Sequence, residues 1–166
     1  MASDITERKR IEQELQKITR LQKAILDSAN YAIISTDRSG IIQTFNAAAQ
    51  QWLGYTAEEV VGKVTPSSIH DVDEVMRRAQ VLSTELGEEI APGFEVFVAK
   101  PRRGIPDKHE WTYIRKDGSR FPVRLSVTAM HDEHKNVTGF LGVASDITLI
   151  KQAQAARQES EERYQD

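Results

Sequence analysis

The most informative segment of the chain is HEWTYIRKDGSRFPVRLSVTAM, residues 109–130. Its centre, residues 116–119, reads Lys-Asp-Gly-Ser, a cluster of residues typical of tight turns. Apolar and polar residues alternate after the turn, which is typical of a strand with one buried face. The apolar positions are Phe121, Val123, Leu125 and Val127. We therefore predict an antiparallel pair of strands over residues 109–115 and 120–130.

Turn residues delimit three further strands. A second turn at 132–136 precedes an apolar segment at 137–146, which extends the pair to a three-stranded meander. Nearer the N-terminus, residues 32–36 and 41–45 flank Asp-Arg-Ser-Gly at 37–40 and predict a first hairpin. Two strands, short helices and then three strands predict an antiparallel α+β domain.

The short helices are predicted from their end signals. Asn46 can cap a helix that stops at Gly54. Thr56 and Glu59 form a capping-box pattern for a second helix that ends at Gly62. Residues 69–86 have apolar residues at helical spacing, whereas residues 87–108 are interrupted by proline and glycine and predict only a loop with a short helix or strand.

The N-terminal segment predicts a long amphipathic helix. Residues 5–29 contain no glycine or proline, and four apolar residues fall on one heptad seam whose remaining slot is Gln22. These four are Ile11, Leu15, Ile18 and Ile25. We expect this seam to pair with a second copy in a parallel dimer. The alternative is a helix folded back onto its own domain.

Composition excludes several classes of protein. The 166 residues include no cysteine, which excludes disulfides, thiolate metal sites and flavin held through a thiol. The net charge is −3 and no segment is strongly basic, so we expect no nucleic-acid partner. No stretch approaches the roughly 20 apolar residues of a spanning helix, and no apolar signal core is present, so we expect a cytoplasmic chain without membrane contact.

Several stretches of the sequence, taken in the order in which they occur, resemble those of PAS sensory domains. The resemblance covers about residues 24–148. The matching stretches are AIISTD (32–37), NAAA (46–49), LGYTAEEVVGK (53–63), RKDGSRFPV (115–123), GFLG (139–142) and DIT (146–148). The resemblance implies a five-stranded antiparallel sheet with short helices on one face, flanked by N- and C-terminal amphipathic helices. It also implies a small pocket between the sheet and the helices.

The resemblance suggests residues that line this pocket. Alternation places residues 109, 111 and 113 on one face of their strand, and 125 and 127 on one face of the next; in cofactor-binding relatives those faces look inward. The candidates are His109, Trp111, Tyr113, Leu125, Val127 and Gly142. His109 and Trp111 each bring a polar group that can contact a ligand. The alternative, which we favour for Leu125 and Val127, is simple core packing.

No specific cofactor is indicated. In haem-binding relatives the iron ligand lies about one turn after His70, where this chain has Glu74, so haem is disfavoured and His70 is interpreted as a residue at the start of a helix. Non-covalent binding of a small molecule, including a flavin, remains an alternative. His131 and His134 flank two acidic residues, for which a solvated turn is preferred over a metal site. We expect no metal and no catalysis.

The end of the last strand predicts a signalling junction. Asp146 or Thr148 can cap the helix that follows, and we expect Asp146, Ile147 and Thr148 together to relay signals. We divide the chain into a linker helix at 1–29, a PAS domain at 30–148 and a second linker helix at 149–166. The tetrapeptide Ser-Asp-Ile-Thr occurs at 3–6 and again at 145–148, so the first helix is read as the tail of a preceding domain.

Two functions are weighed. The first is a sensor module in a bacterial array of PAS domains that binds a small ligand and relays its presence, as a homodimer, to a C-terminal effector. The effector would be a histidine kinase of a two-component system or a cyclic-dinucleotide enzyme. The alternative is a ligand-free module for dimerisation and signal relay, whose pocket is filled by its own side chains.

Overall fold

The computed structural model describes residues 2–28 and 30–164, with the side chains of 4–24 and 30–163. Eleven helices and strands carry the fold. The helices are α1 (Ala2–Ser28), α2 (Ala47–Leu53), α3 (Ala57–Val60), α4 (Val72–Leu86), α5 (Glu95–Val98) and α6 (Thr148–Tyr164). The strands are β1 (Ala32–Asp37), β2 (Ile42–Phe45), β3 (Asp107–Ile114), β4 (Arg120–His131) and β5 (Val137–Asp146). Short 3-10 helices cover Pro66–Ile69 and Pro101–Arg103.

The strands form one antiparallel sheet in the order β2-β1-β5-β4-β3. The long connection from β2 to β3 carries α2 to α5, which lie over one face. Side chains from this inner face of the sheet and from the helices form a single hydrophobic core. The predicted α+β class and five-stranded antiparallel sheet are therefore confirmed.

The capping residues at the ends of α2 and α3 act as the sequence predicts. The Asn46 side chain accepts a hydrogen bond from the Ala49 amide at 3.0 Å, and α2 ends at Gly54, whose φ of 80° is left-handed. Thr56 and Glu59 form the complete capping box of α3. These bonds set where the two short helices begin and end.

The segment before β3 differs from the prediction. The helix expected over 69–86 begins only at Val72, because the Asp71 carboxylate caps it by accepting hydrogen bonds from the amides of Asp73 and Glu74. Residues 66–69 form a separate 3-10 helix that starts with Pro66. Within 87–108, a short helix over 95–98 and a 3-10 turn are followed by β3, which begins at Asp107, two residues before the predicted start.

The flanking helices extend from the domain. Ile11, Leu15 and Ile18 are between 51% and 58% exposed, so α1 does not bury this seam against its own domain. The side chain of the fourth predicted seam residue, Ile25, lies outside the described residues. Neither flanking helix, nor any other helix in the described parts of the chain, is long and apolar enough to cross a membrane.

Candidate functional site

A small cavity lies between the inner face of the sheet and the helices. Its volume is about 30 Å³. Four of the six residues predicted to line a pocket line it: Tyr113, Leu125, Val127 and Gly142. That they contact a ligand stays a prediction, since three of them also belong to the hydrophobic core.

The other two predicted residues lie away from the cavity. Trp111 is buried, but its ring packs against Phe97, with the centroids 4.9 Å apart. The ring of His109 meets Trp111 edge-on, also with the centroids 4.9 Å apart, and lines a surface cleft with Lys108, Glu110 and Arg124. Neither His109 nor Trp111 lines the cavity, although both were expected to face it.

Further residues complete the cavity wall, and the sequence did not indicate them. Phe94 and Phe97 come from the segment around α5, and Phe140 lies on β5. Ile34 and Thr36 on β1 and His70 before α4 also line it. Phe140 was detectable in principle, because it lies two residues before Gly142 on the same face of a strand.

His70 is the polar group that distinguishes this cavity. Its side chain is only 2% exposed, and its Nδ1 lies 2.7 Å from the carbonyl oxygen of Pro66. Since a carbonyl only accepts, Nδ1 carries a proton and donates it. Nε2 is buried and has no hydrogen-bond partner within the protein. The cavity wall thus contains an unsatisfied nitrogen acceptor.

Burial keeps the His70 ring neutral. Removal from water lowers the pKa of His70 to about 4, although the hydrogen bond to Pro66 acts in the opposite direction. Rings surround it: Phe97 lies 4.2 Å away between centroids, Tyr113 4.9 Å and Trp111 5.4 Å. Burial likewise raises the pKa of Tyr113, so its hydroxyl stays protonated. No formal charge faces the cavity at neutral pH.

The interpretation of His70 as a residue at the start of a helix is incomplete. Its neighbour Asp71 does begin α4, but the His70 backbone pairs with Tyr113 of the edge strand β3. That pairing turns the imidazole inward beneath the sheet. A single histidine next to a capping aspartate carries no local sequence signal for this orientation.

Glu74 and the cavity do not fit a haem group. The two carboxylate oxygens of Glu74 accept hydrogen bonds from the amide of Thr112 at 2.7 Å and from its hydroxyl at 2.9 Å. Glu74 therefore holds α4 to the edge of the sheet, outside the cavity. A volume of about 30 Å³ holds roughly one water molecule and is far too small for a porphyrin.

The histidine-containing turn between β4 and β5 is organised by an aspartate. Asp132 Oδ1 accepts hydrogen bonds from the amides of His134 at 2.8 Å and Asn136 at 2.9 Å. Within residues 2–28 and 30–164, no three His, Asp or Glu side chains come together in a way that could hold a metal ion.

The predicted relay residues form a compact junction at the start of α6. Asp146 Oδ1 accepts hydrogen bonds from the Thr148 amide at 2.9 Å and from its hydroxyl at 2.5 Å. Ile147 is 2% exposed, and its amide donates to the Pro122 carbonyl oxygen of β4 at 3.1 Å. Of the two caps considered from the sequence, Asp146 is the acceptor, and Ile147 anchors the junction to the sheet.

A chain of charges also holds α6 to the sheet. Lys151 Nζ lies 2.7 Å from Glu110 of β3, whose other carboxylate oxygen lies 3.2 Å from Arg124 of β4. The hydrogen bond from Lys151, which has the larger influence, and that from Arg124 lower the pKa of Glu110. The first turn of α6 is thereby connected to β3 and β4, although such exposed pairs contribute little stability individually.

Comparison with known proteins identifies the family. The family model described as PAS fold matches residues 21–147. The chain is 30% identical over 134 residues to "Two-component system protein A" of Emericella nidulans, covering 80% of this chain and 17% of that protein. It is 29% identical over 152 residues to "Signal transduction histidine-protein kinase AtoS" of Escherichia coli, covering 90% of this chain and 21% of the kinase.

A solved structure shows the same fold. The PAS domain of an HTR-like protein from Haloarcula marismortui superposes with a TM-score of 0.59, at 24% identity, covering 84% of this chain and 99% of that domain. The chain spans only about a fifth of the length of the curated relatives above. Sheet order, core and family match agree, and the chain belongs to the PAS-fold family, related to the PAS domains of sensor histidine kinases.

Proposed function

We propose that the chain is a sensor module that binds a small molecule in the cavity between sheet and helices and relays its presence through α6. The unsatisfied Nε2 of His70, in a wall that is otherwise mostly apolar, carries this proposal. A buried polar atom without a partner costs stability, so such an atom in a folded core favours a partner that is not part of the chain.

A short series of contacts connects the cavity to α6. The ring of Tyr113, which lines the cavity, packs edge-on against Phe121 with the centroids 5.9 Å apart. The next residue, Pro122, accepts the Ile147 amide hydrogen bond, and Ile147 directly precedes α6. A ligand that displaces Tyr113 would therefore shift the anchor of this helix.

The two flanking helices meet the sheet at the same end. Ala32, the first residue of β1, pairs with Ala144 near the end of β5. We propose that two chains associate in parallel through α1, because its apolar seam is exposed at Ile11, Leu15 and Ile18. The helices of such a dimer can exchange between packings of similar energy, which provides the output of the sensor.

We further propose that the output reaches a C-terminal effector in the same polypeptide. The support is the kinase named among the relatives, of which the matching segment is a small part. A histidine kinase of a two-component system is the preferred effector, and a cyclic-dinucleotide enzyme is the other kind considered.

The size of the cavity favours a second candidate, the ligand-free relay module. Phe94, Phe97 and Phe140 occupy much of the space between sheet and helices and leave room for about one water molecule. In that case α6 would respond to neighbouring domains through the same junction, and His70 would contact only water.

Native mass spectrometry of the purified chain distinguishes the two. We expect a dimer that carries one small molecule per chain. The matched control is Gly142→Ala, whose added methyl group would lie 3.3 Å from Leu125 Cδ1 in the cavity wall and 3.6 Å from the Ile34 carbonyl oxygen. This variant should stay dimeric and lose the added mass. A bare wild-type dimer would support the relay module instead, and a bare monomer would contradict the proposed dimer.

A further inference from the structure

We propose that the ligand of this cavity is a small, uncharged, largely apolar molecule that donates one hydrogen bond to Nε2 of His70. The inference rests on the proposed sensor function and adds the chemical class of the ligand and the residue that recognises it.

The direction of the hydrogen bond follows from the tautomer of His70. Nδ1 lies 2.7 Å from the Pro66 carbonyl oxygen, which cannot donate, so the single proton of the neutral ring is on Nδ1. Nε2 then presents a lone pair and can only accept. A ligand must therefore bring a hydroxyl or N–H group to this position.

A second polar group in the cavity wall, the hydroxyl of Thr36, also needs a hydrogen-bond donor from the ligand. The Thr36 hydroxyl donates its proton to the Asp37 carbonyl oxygen at 2.9 Å, which leaves lone pairs on Thr36 Oγ1. Thr36 also lines the cavity. An acceptor-only ligand would find no donor in either group.

The wall further selects an uncharged ligand. Besides His70, Thr36 and the uncharged hydroxyl of Tyr113, the groups that line the cavity are apolar. His70 itself is held neutral by burial. An ion placed here would lose its hydration without gaining a counter-charge.

The cavity also limits size. About 30 Å³ exceeds the space that one water molecule needs, and anything larger requires the rings of Phe94 and Phe97 to move. Small rings are the ligand-like probes that need the least such movement. Pyrrole and furan are a matched pair, since they have almost the same shape but only pyrrole has an N–H donor.

The test is an NMR titration of protein labelled with ¹⁵N in its histidine rings, with pyrrole and furan as separate probes. We expect pyrrole to shift the His70 Nε2 resonance in a saturable manner, and furan to bind roughly tenfold more weakly, the size expected for one hydrogen bond. His109 and the other ring nitrogens should not respond.

Two variants serve as controls. Gly142→Ala should abolish binding of both rings, because it fills the cavity without changing His70. His70→Phe should keep furan binding and lose the preference for pyrrole. Should His70→Phe fail to fold, His70→Leu, which also removes the acceptor nitrogen, provides the same comparison.

The outcomes separate this inference from the proposed function. Equal affinity for pyrrole and furan, abolished by Gly142→Ala, would overturn the role of His70 while leaving a ligand-binding cavity. No binding of either ring, with a Nε2 signal that reports only water, would overturn the inference. Whether the chain is a sensor would then be decided by the mass spectrum of the purified protein.

Discussion

Stability should depend on pH through His70, because the folded chain keeps this ring neutral. In the unfolded chain the imidazole takes up a proton near its ordinary pKa of 6.5, whereas burial lowers the folded-state value to about 4. The unfolded state therefore binds more protons than the folded state between these values. The contribution of neutral His70 is fully present above pH 6.5 and is lost as the pH falls towards 4.

The size of the effect follows from these two pKa values. Each pKa unit corresponds to about 1.4 kcal/mol between the protonation states. With values of 6.5 and about 4, linkage gives a loss of about 2 kcal/mol in the free energy of unfolding between pH 7 and pH 5. This loss is a large fraction of the free energy of unfolding of a typical domain, which is roughly 5–15 kcal/mol.

Urea denaturation followed by circular dichroism at pH 7 and pH 5 measures this loss. Between pH 7 and pH 5 the free energy of unfolding of the wild type should fall by about 2 kcal/mol more than that of His70→Gln, which has no titratable group at this position. His109→Gln is the matched control: burial, its largest influence, also lowers the pKa of His109, but that ring is only partly buried. This control should keep most of the wild-type pH dependence.

Identical pH dependence in the wild type and His70→Gln would refute the assignment of His70 as a buried neutral ring. So would a wild type that gains stability on acidification. Carboxylates with lowered pKa values, such as Asp37 and Asp117, affect all three proteins alike and cancel in the comparison.

Three further predictions concern the helices. Asp146→Ala should lower the free energy of unfolding by about 1 kcal/mol in urea denaturation, because α6 loses its cap, and an unchanged value would contradict the capping role. Deletion of residues 1–24 should weaken dimerisation in sedimentation equilibrium more than deletion of 152–166, since the apolar seam lies on α1; equal dimer constants would oppose this. Glu74→Gln should cost about 1–2 kcal/mol, because Gln weakens two charge-assisted bonds to Thr112, and no measurable loss would show these bonds to be dispensable.

The strands and caps were predictable because their signals are local. The turn at 116–119 and the alternation after it determine the β3–β4 pair, and Asn46 and Thr56 cap their helices through bonds to residues three positions away. Such signals need no knowledge of the rest of the chain. The five-stranded antiparallel sheet was expected from the family resemblance and is confirmed, whereas the order of its strands was not predicted.

The cavity was only partly predictable because long-range packing determines it. Alternation assigns His109, Trp111 and Tyr113 to one face of β3, but it does not say which of them lies over the cavity. The rings that decide this, Phe97 and His70, come from segments interrupted by proline and glycine, where periodicity gives no guidance. Their positions depend on contacts with β3 that are distant in sequence.

Coupling between the cavity and α6 is tested most directly by amide hydrogen exchange in the wild type and in Gly142→Ala. If the cavity controls the anchor of α6, filling it should change the exchange rates of the Ile147 and Lys151 amides several-fold. The Ile147 amide donates to Pro122, and the Lys151 amide donates to Ile147. The Asn136 amide, at the opposite end of β5, should be unaffected. Altered exchange around the cavity with unchanged rates at Ile147 and Lys151 would contradict a relay through this junction.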